Sequence, residues 1–184
     1  MRQIFDVSSE LQRPKTYSRD LIESLCENVP GETEKYSSFI VERLIASDNP
    51  VEKEALLYTL GFIAPALKQM KDYQAQIEEI LMKYAYPELD SSTGALWARA
   101  SWVFGEYANL LLNVEFKVSV AVKVYENLLV QDLPIRVTAA TSLYKLLLLE
   151  EVKTRLKDGL VNIIKSYLDV MKEIDQEELI TALE

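Results

Sequence analysis

One helical pattern occurs three times in this chain, and it constrains the fold more than any other feature. The three stretches are PVEKEALLYTLGFIA (50–64), ALWARASWVFGEYA (95–108) and PIRVTAATSLYKLLL (134–148). When they are aligned, the second and thirteenth positions are apolar and the sixth is alanine, which is the spacing of one helix face. The alanines, Ala55, Ala100 and Ala139, are 45 and 39 residues apart. This period is in or near the ~40–47 residues of two-helix HEAT or armadillo units. A weaker copy occupies 13–26.

The rest of the chain is consistent with such units. Apolar residues recur at three- and four-residue spacing, interrupted by short polar clusters such as NVPGET, ASDNP, ELDSSTG and QDLP. The pattern predicts helices over 16–28, 32–46, 50–69, 73–86, 94–112, 116–130, 134–149, 153–171 and from 175 onward. Because the connections are short, successive helices are expected to be antiparallel neighbours.

The predicted fold class is therefore all-α, an α-α superhelix of HEAT or armadillo type built from antiparallel helix pairs. Five glycines and six prolines are too few for the many tight turns of a sheet-rich fold. We expect residues 1–184 to form a single solenoid segment of about four helix pairs, with repeat cores near 13–26, 50–64, 95–108 and 134–148, within a larger protein. The alanine column is predicted to lie where helices approach closely.

Polar residues mark the predicted helix starts. Asp48 and Asp132 each precede by two residues a proline that begins a helix, and 90–93 precede the middle copy. A carboxylate or hydroxyl at such a position accepts hydrogen bonds from unpaired amides and interacts with the positive helix end, so these aspartates are predicted to cap helices.

Composition excludes several functions. The chain has no histidine, which excludes Ser/His and Cys/His nucleophilic pairs and His-ligated zinc, and its one cysteine, Cys26, is interpreted as a small buried hydrophobe. Glutamates at 78–79, 150–151 and 177–178 are adjacent in sequence and point ~100° apart on a helix, so they are interpreted as solvated faces. We predict no enzyme activity, no metal and no cofactor.

Charge and hydropathy limit the partners. A net charge of −9 argues against a nucleic-acid groove and favours a basic protein partner, although an acidic balance also simply maintains solubility. Charged residues interrupt the first fifteen positions, and no uncharged apolar run approaches ~18 residues, so neither a secretory signal nor a membrane span is expected.

Two motifs resemble those of a known family. YPELDSSTGALWARASWVFGEYA contains an Arg-Ala-x-Trp helix at 99–102, and DLPIRVTAATSLYKLL follows about forty residues on with a Pro-apolar-basic-Val-x-Ala-Ala helix at 134–140. Together with the early FDVSSELQRPKTYSRDLIESLC, they resemble the central HEAT repeats of the importin-β (karyopherin-β) superfamily, in the branch of importin seven and importin eight. Ser101 departs from the pattern, since the family more often has cysteine there.

The resemblance implies a protein-binding segment of a nuclear transport receptor that shuttles between cytoplasm and nucleus. Such a receptor carries basic cargo of ribosomal-protein or histone type and releases it when Ran-GTP binds. Ran and nucleoporin contacts would lie mainly in the rest of the parent protein. The alternative is a structural HEAT scaffold of phosphatase or coat type, without a GTPase cycle. We expect a monomeric segment.

Partner contacts are expected on the second helix of each pair, which in HEAT units usually lines the concave side. The candidates are Glu52, Glu54, Trp97, Arg99, Glu106 and Thr138. Trp97 occupies a column that holds Glu52 and Arg136 in the other copies, so it is either an exposed aromatic anchor or a cover for the neighbouring repeat. Arg99 and Arg136 could reach an acidic partner, but a charge ladder that fixes repeat register is favoured. Trp102 is interpreted as core.

Overall fold

The chain folds entirely into helices over the part that the structure describes. The computed structural model describes residues 14–173, with side chains from residue 17, and no strand occurs in that range. The α-helices are α1 (Pro14–Asn28), α2 (Glu32–Ala46), α3 (Pro50–Phe62), α4 (Ala64–Lys68), α5 (Gln74–Ile80), α6 (Gly94–Tyr107), α7 (Val114–Leu128), α8 (Leu133–Leu147), α9 (Glu150–Arg155) and α10 (Leu160–Glu173). A π-helical turn, Leu81–Ala85, continues α5, and 3-10 turns span Lys71–Tyr73, Tyr86–Asp90, Ala108–Leu110 and Lys157–Gly159.

The helices form two layers. Helices α1, α3, α6, α8 and α10 pack side by side in what we call the front layer, where α6 contacts α3 on one side and α8 on the other. Helices α2, α5, α7 and α9, which alternate with them along the chain, form the back layer. Each front helix thus contacts the preceding front helix, as in a solenoid. The predicted all-α HEAT-like architecture is confirmed.

The front helices approach closely where one of them carries glycine. A Cβ atom on Gly61 of α3 would lie 2.1 Å from Trp102 of α6, and one on Gly105 of α6 would lie 3.0 Å from the Cα atom of Ser142 in α8. Trp102 is half-buried and packs against the core, in agreement with its interpretation. Each interface therefore depends on a missing side chain, since a Cβ atom would push against the Trp102 ring in the first case and against the backbone at Ser142 in the second.

Buried tyrosines also connect front helices. The Tyr107 hydroxyl donates a hydrogen bond of 2.7 Å to the backbone carbonyl of Leu60, and the Tyr167 hydroxyl donates one to the carbonyl of Ala140. Burial raises the pKa of both phenols well above the usual range. Both hydroxyl groups therefore remain neutral donors, and each ties one repeat to the backbone of the preceding one.

The helix starts differ in part from prediction. Asp132 caps α8 as predicted, because its carboxylate accepts a hydrogen bond of 3.1 Å from the N–H of Ile135. The prediction for Asp48 was wrong: Asn49 caps α3, accepting a bond of 2.9 Å from the N–H of Val51. The cap is the residue directly before the first helical one. Pro50 is the first residue of α3, whereas the corresponding proline of α8 is the second.

Before α6 the prediction of a cap was also wrong. Thr93 occupies the cap position but its side chain makes no capping bond, and Asp90 forms an ion pair with Lys123 of α7 at 2.9 Å. The predicted helix 94–112 ends at Tyr107 and continues only as a 3-10 turn, and the predicted helix 153–171 is divided by the 3-10 turn around Gly159. The predicted helix from 175 onward and the pair 177–178 lie outside the described residues.

Two glutamates that were interpreted as solvated have specific partners. The Glu78 carboxylate accepts hydrogen bonds from the N–H groups of Leu112 and Asn113, and so holds the segment before α7. Glu151 accepts a bond of 2.5 Å from Lys117, whose residue is 9% exposed, and this bond lowers the pKa of the Glu151 carboxyl. These roles depend on partners that are distant in the sequence, so the local spacing of the glutamates could not predict them.

The first copy of the repeat is packed differently from the others. Ala100 and Ala139 are fully buried, but Ala55 is exposed, and in the second column Val51 is 72% exposed where Leu96 is buried. A cleft of about 330 Å³ separates α1 from α3, and Ala55 lines it. The expectation of a close approach at Ala55 was therefore wrong, because α1 does not close upon α3 as α6 closes upon α8.

Candidate interaction surface

The front layer carries a ladder of ion pairs between neighbouring helices. Arg99 of α6 donates to Glu54 of α3 at 2.7 Å, and Lys145 of α8 donates to Glu106 of α6 at 2.6 Å. The side chains of Glu54 and Arg99 are only 21% and 22% exposed. Each pair links one repeat to the next, so two of the predicted partner-binding carboxylates are already neutralised within the chain.

Arg99 is held by more than its ion pair. Its guanidinium carbon lies 4.4 Å from the centroid of the Tyr58 ring and 5.0 Å from that of Trp102. A guanidinium stacked on aromatic faces and paired with a carboxylate loses little further freedom per hydrogen bond. Arg99 is thus a fixed part of the α3–α6 interface, in the structural role that the sequence favoured.

Arg136 completes the ladder towards the end of the described segment. It donates to the Glu173 carboxylate of α10 at 2.5 Å and to the backbone carbonyl of Leu128 at 3.3 Å. Every front interface from α3 to α10 therefore has one cross-helix ion pair. The partners are glutamates, which lie on the preceding front helix for Arg99 and Lys145 and on the following one for Arg136.

Glu52 is engaged inside its own helix pair. Its carboxylate accepts hydrogen bonds from Arg43 of α2, through Nε at 3.0 Å, and from the Ser47 hydroxyl at 2.7 Å. The bonds from Ser47 and Arg43, in that order, lower the pKa of the Glu52 carboxyl. Since Glu52 also lies in the first turn of α3, the positive helix end favours the same charged state.

Trp97 and Thr138 are the two predicted residues without a cross-helix partner. The Thr138 hydroxyl donates to the carbonyl of Pro134 at 2.9 Å, one turn earlier in α8. Trp97 is half-buried, and its indole N–H is buried with no hydrogen-bond acceptor among the described residues. Trp97 thus lies between the two alternatives: part of the ring is accessible while its N–H end is covered.

The structure thus assembles the predicted residues along one layer but leaves few of their charges free. A contact between any of them and a partner remains a prediction. The sequence analysis did not single out a groove on the back layer between α2 and α5. Its signal in the sequence was the pair of glutamates on α2, Glu34 and Glu42, which have no cation four residues away to pair with.

Metal ligands, the single cysteine and long apolar helices are the remaining features to be located in the described residues. No group of three or more acidic or cysteine side chains in residues 17–173 is placed to hold a metal ion. Cys26 is buried, as interpreted, and burial raises the pKa of its thiol. Among the helices from α1 to α10, none is long and apolar enough to cross a bilayer.

Sequence comparison finds relatives along most of the chain. It is 26% identical, over its full length, to an importin beta-like SAD2 homolog from Arabidopsis thaliana, of which it spans 19%. It is 31% identical over 137 residues, 74% of the chain, to a probable importin-7 homolog from Dictyostelium discoideum, of which it spans 13%. Importin-8 of Mus musculus is 24% identical over the full chain, which corresponds to 19% of that protein.

Two other comparisons find nothing. No family model matches the chain. No solved structure matches it either. The chain spans less than a fifth of the length of the curated relatives above.

Proposed function

Since the chain is homologous to members of the importin-β family along most of its length, we propose that it is a protein-binding segment of a nuclear transport receptor. The receptor carries basic proteins, of ribosomal-protein or histone type, into the nucleus and releases them when Ran-GTP binds. It shuttles between cytoplasm and nucleus, and its contacts with Ran and nucleoporins lie mainly outside these residues. No catalytic step belongs to this proposal.

The front layer is the observation that supports the proposal. Ion pairs and buried tyrosines fix the register of successive helices, so the layer presents a continuous surface of several repeats. Because each repeat contacts only its neighbours, such a surface can curve around a large partner while every local interface stays intact. A net charge of −9 suits a basic partner.

Within this surface, we assign the first partner contacts to Trp97 and Thr138. Contact through Glu52, Glu54, Arg99 or Glu106 requires exchange of an existing ion pair, whereas Trp97 and Thr138 have none to exchange. A half-buried indole supplies a large apolar contact area at small entropic cost. The ion-paired residues contribute by holding the helices on which these two are carried.

The experiment is recovery of the tagged endogenous protein from cell extract, with GTP-locked or GDP-bound Ran added. We expect basic proteins to be bound in the presence of Ran-GDP and released by Ran-GTP, as read by mass spectrometry. Trp97→Ala is expected to weaken their binding at least tenfold. Phe39→Ala is the matched control, because it removes an exposed aromatic side chain from the back layer.

Two outcomes would contradict the proposal. If the same partners stay bound with either form of Ran, the segment is a structural scaffold of phosphatase or coat type, without a GTPase cycle. If Trp97→Ala and Phe39→Ala have equal effects, then the front layer is not the contact surface, even where Ran-GTP releases the partners.

A further inference from the structure

A solvent-open groove lies on the back layer between α2 and the segment around α5. Its volume is about 270 Å³, and the buried side chains of Leu60, Leu67 and Ile77 form its apolar floor. The walls come from α2 on one side and from the turn before α5 and α5 itself on the other. The wall residues are Ser37, Ser38, Val41, Glu42, Tyr73, Gln76 and Ile80.

The groove has one charged side chain, and that charge is free. Glu42 is exposed and forms no ion pair within the described residues. Two turns earlier on the same face of α2, Glu34 is likewise without a cation among those residues. The opposite wall offers the polar side chains of Tyr73 and Gln76. Lys83, in the π-helical turn that continues α5, packs over the Tyr84 ring with its Nζ 5.3 Å from the ring centroid.

This arrangement contrasts with the front layer. On the front layer, Glu54 already pairs with Arg99 and Glu106 with Lys145, so neither carboxylate is free to bind a cation from a partner. On the back layer, an unpaired carboxylate borders an apolar slot. A lysine or arginine side chain can lay its methylene stem along such a wall while its charged end reaches the carboxylate. A neighbouring apolar side chain can then fill the floor.

We propose that the α2–α5 groove binds a short protein segment in which a large apolar side chain is flanked by lysine or arginine. The apolar side chain occupies the floor over Leu60 and Leu67, and the cation pairs with Glu42. The inference deepens the proposed function, on which it rests for the basic character of the partner. It places a basic contact on the layer opposite to the one that the sequence indicated.

The probe is the peptide acetyl-Gly-Arg-Leu-Leu-Arg-Gly, titrated into the isotopically labelled chain and followed by methyl and amide NMR shifts. Two peptides of equal length, with both arginines replaced by glutamine or by glutamate, test the charge requirement. We expect the basic peptide to shift the methyl signals of Val41, Leu67 and Ile77 and to bind at least fivefold tighter than the glutamine peptide. The glutamate peptide is expected not to bind.

Three variants test the residues. Glu42→Gln is expected to lower the affinity for the basic peptide about three- to tenfold. Asp158→Asn removes another exposed carboxylate, which forms no ion pair among the described residues and lies at the far end of the segment, and it is expected to leave the peptide affinity unchanged. Ser38→Trp fills the groove from an exposed wall position and is expected to abolish the methyl shifts. An unchanged amide spectrum outside the groove verifies that each variant is folded.

The inference is overturned if the glutamine peptide binds as tightly as the basic one, because the groove then takes an uncharged apolar segment. It is also overturned if Glu42→Gln and Asp158→Asn have the same effect on the affinity for the basic peptide, or if the peptide shifts no methyl signal of the groove. This inference and the proposed function can fail independently of each other. Should Ran-GTP release basic proteins while the groove stays empty, only this inference fails. Should the peptide bind while Ran-GTP releases nothing, the groove stands and the transport function fails.

Discussion

Removal of the Tyr107 hydroxyl is the sharpest test of how the repeats are joined. In the Tyr107→Phe variant the ring and its packing remain, but the hydrogen bond of 2.7 Å to the Leu60 carbonyl is lost. Tyr107 is fully buried, so water cannot replace the donor. The carbonyl belongs to the last turn of α3, where carbonyl groups lack hydrogen-bond partners within the helix. An acceptor left unsatisfied in a core costs about 1–3 kcal/mol of unfolding free energy.

Urea denaturation followed by circular dichroism measures this loss. For a chain of this size, each kcal/mol corresponds to a fall of about 2–4 °C in Tm. Tyr125→Phe is the matched control, because its half-buried hydroxyl has no hydrogen-bond partner among the described residues and its removal should be nearly neutral. A loss below about 0.5 kcal/mol for Tyr107→Phe, or an equal loss in both variants, would refute the reasoning.

The same variant has a second signature at alkaline pH. Burial raises the pKa of Tyr107 above that of an unfolded tyrosine, which is about 10. Above that pH the unfolded chain loses the proton first and the folded chain keeps it, so stability falls as pH rises. The slope is about 1.4 kcal/mol per pH unit for each such tyrosine. Tyr107→Phe should reduce the slope by that amount, and an unchanged slope would show that Tyr107 is not buried in solution.

Two further predictions concern the α3–α6 interface. Gly61→Ala should destabilise the chain by about 1–3 kcal/mol in urea denaturation, because the new Cβ overlaps Trp102. The control Gly159→Ala, where open space surrounds the new Cβ, should be neutral or slightly stabilising. Equal effects of the two substitutions would contradict the close approach of α3 and α6. A double-mutant cycle of Glu54→Gln and Arg99→Gln should give a coupling of about 0.5–1 kcal/mol that shrinks at high salt. A coupling of zero would mean that the pair does not hold the register.

The architecture was predictable because it depends on periodicity alone. A helix pair of this length cannot bury its apolar face by itself, so a helical pattern that recurs every 39–45 residues leads to stacking. The repeat could not predict how closely each copy packs against the preceding front helix. Ala55 and Ala139 occupy the same column, yet one is exposed and the other buried, because their neighbours α1 and α6 differ.

The alignment of the copies also could not predict the contacts made at small residues. Trp102 enters the space over Gly61, and Ser142 lies over Gly105, so each interface uses a different pair of columns. Ser101, which was noted only as a departure from the family pattern, is fully buried and accepts a hydrogen bond of 3.0 Å from the Asn127 side chain. A buried polar pair of this kind depends on the register between α6 and α7, which sequence spacing does not specify.

The charge ladder, by contrast, was present in the alignment. Glu54 and Arg99 both occupy the fifth position of their copies, and Glu106 and Lys145 both occupy the twelfth. In a stack, equivalent positions of successive repeats lie side by side, so opposite charges in one column pair with each other and are withdrawn from partners. Charges that remain for binding are then expected where the next copy offers no opposite charge. On the back layer Lys117 pairs with Glu151 in the same way, whereas Glu42 of the α2–α5 groove forms no ion pair among the described residues, so its charge is one that remains for a partner.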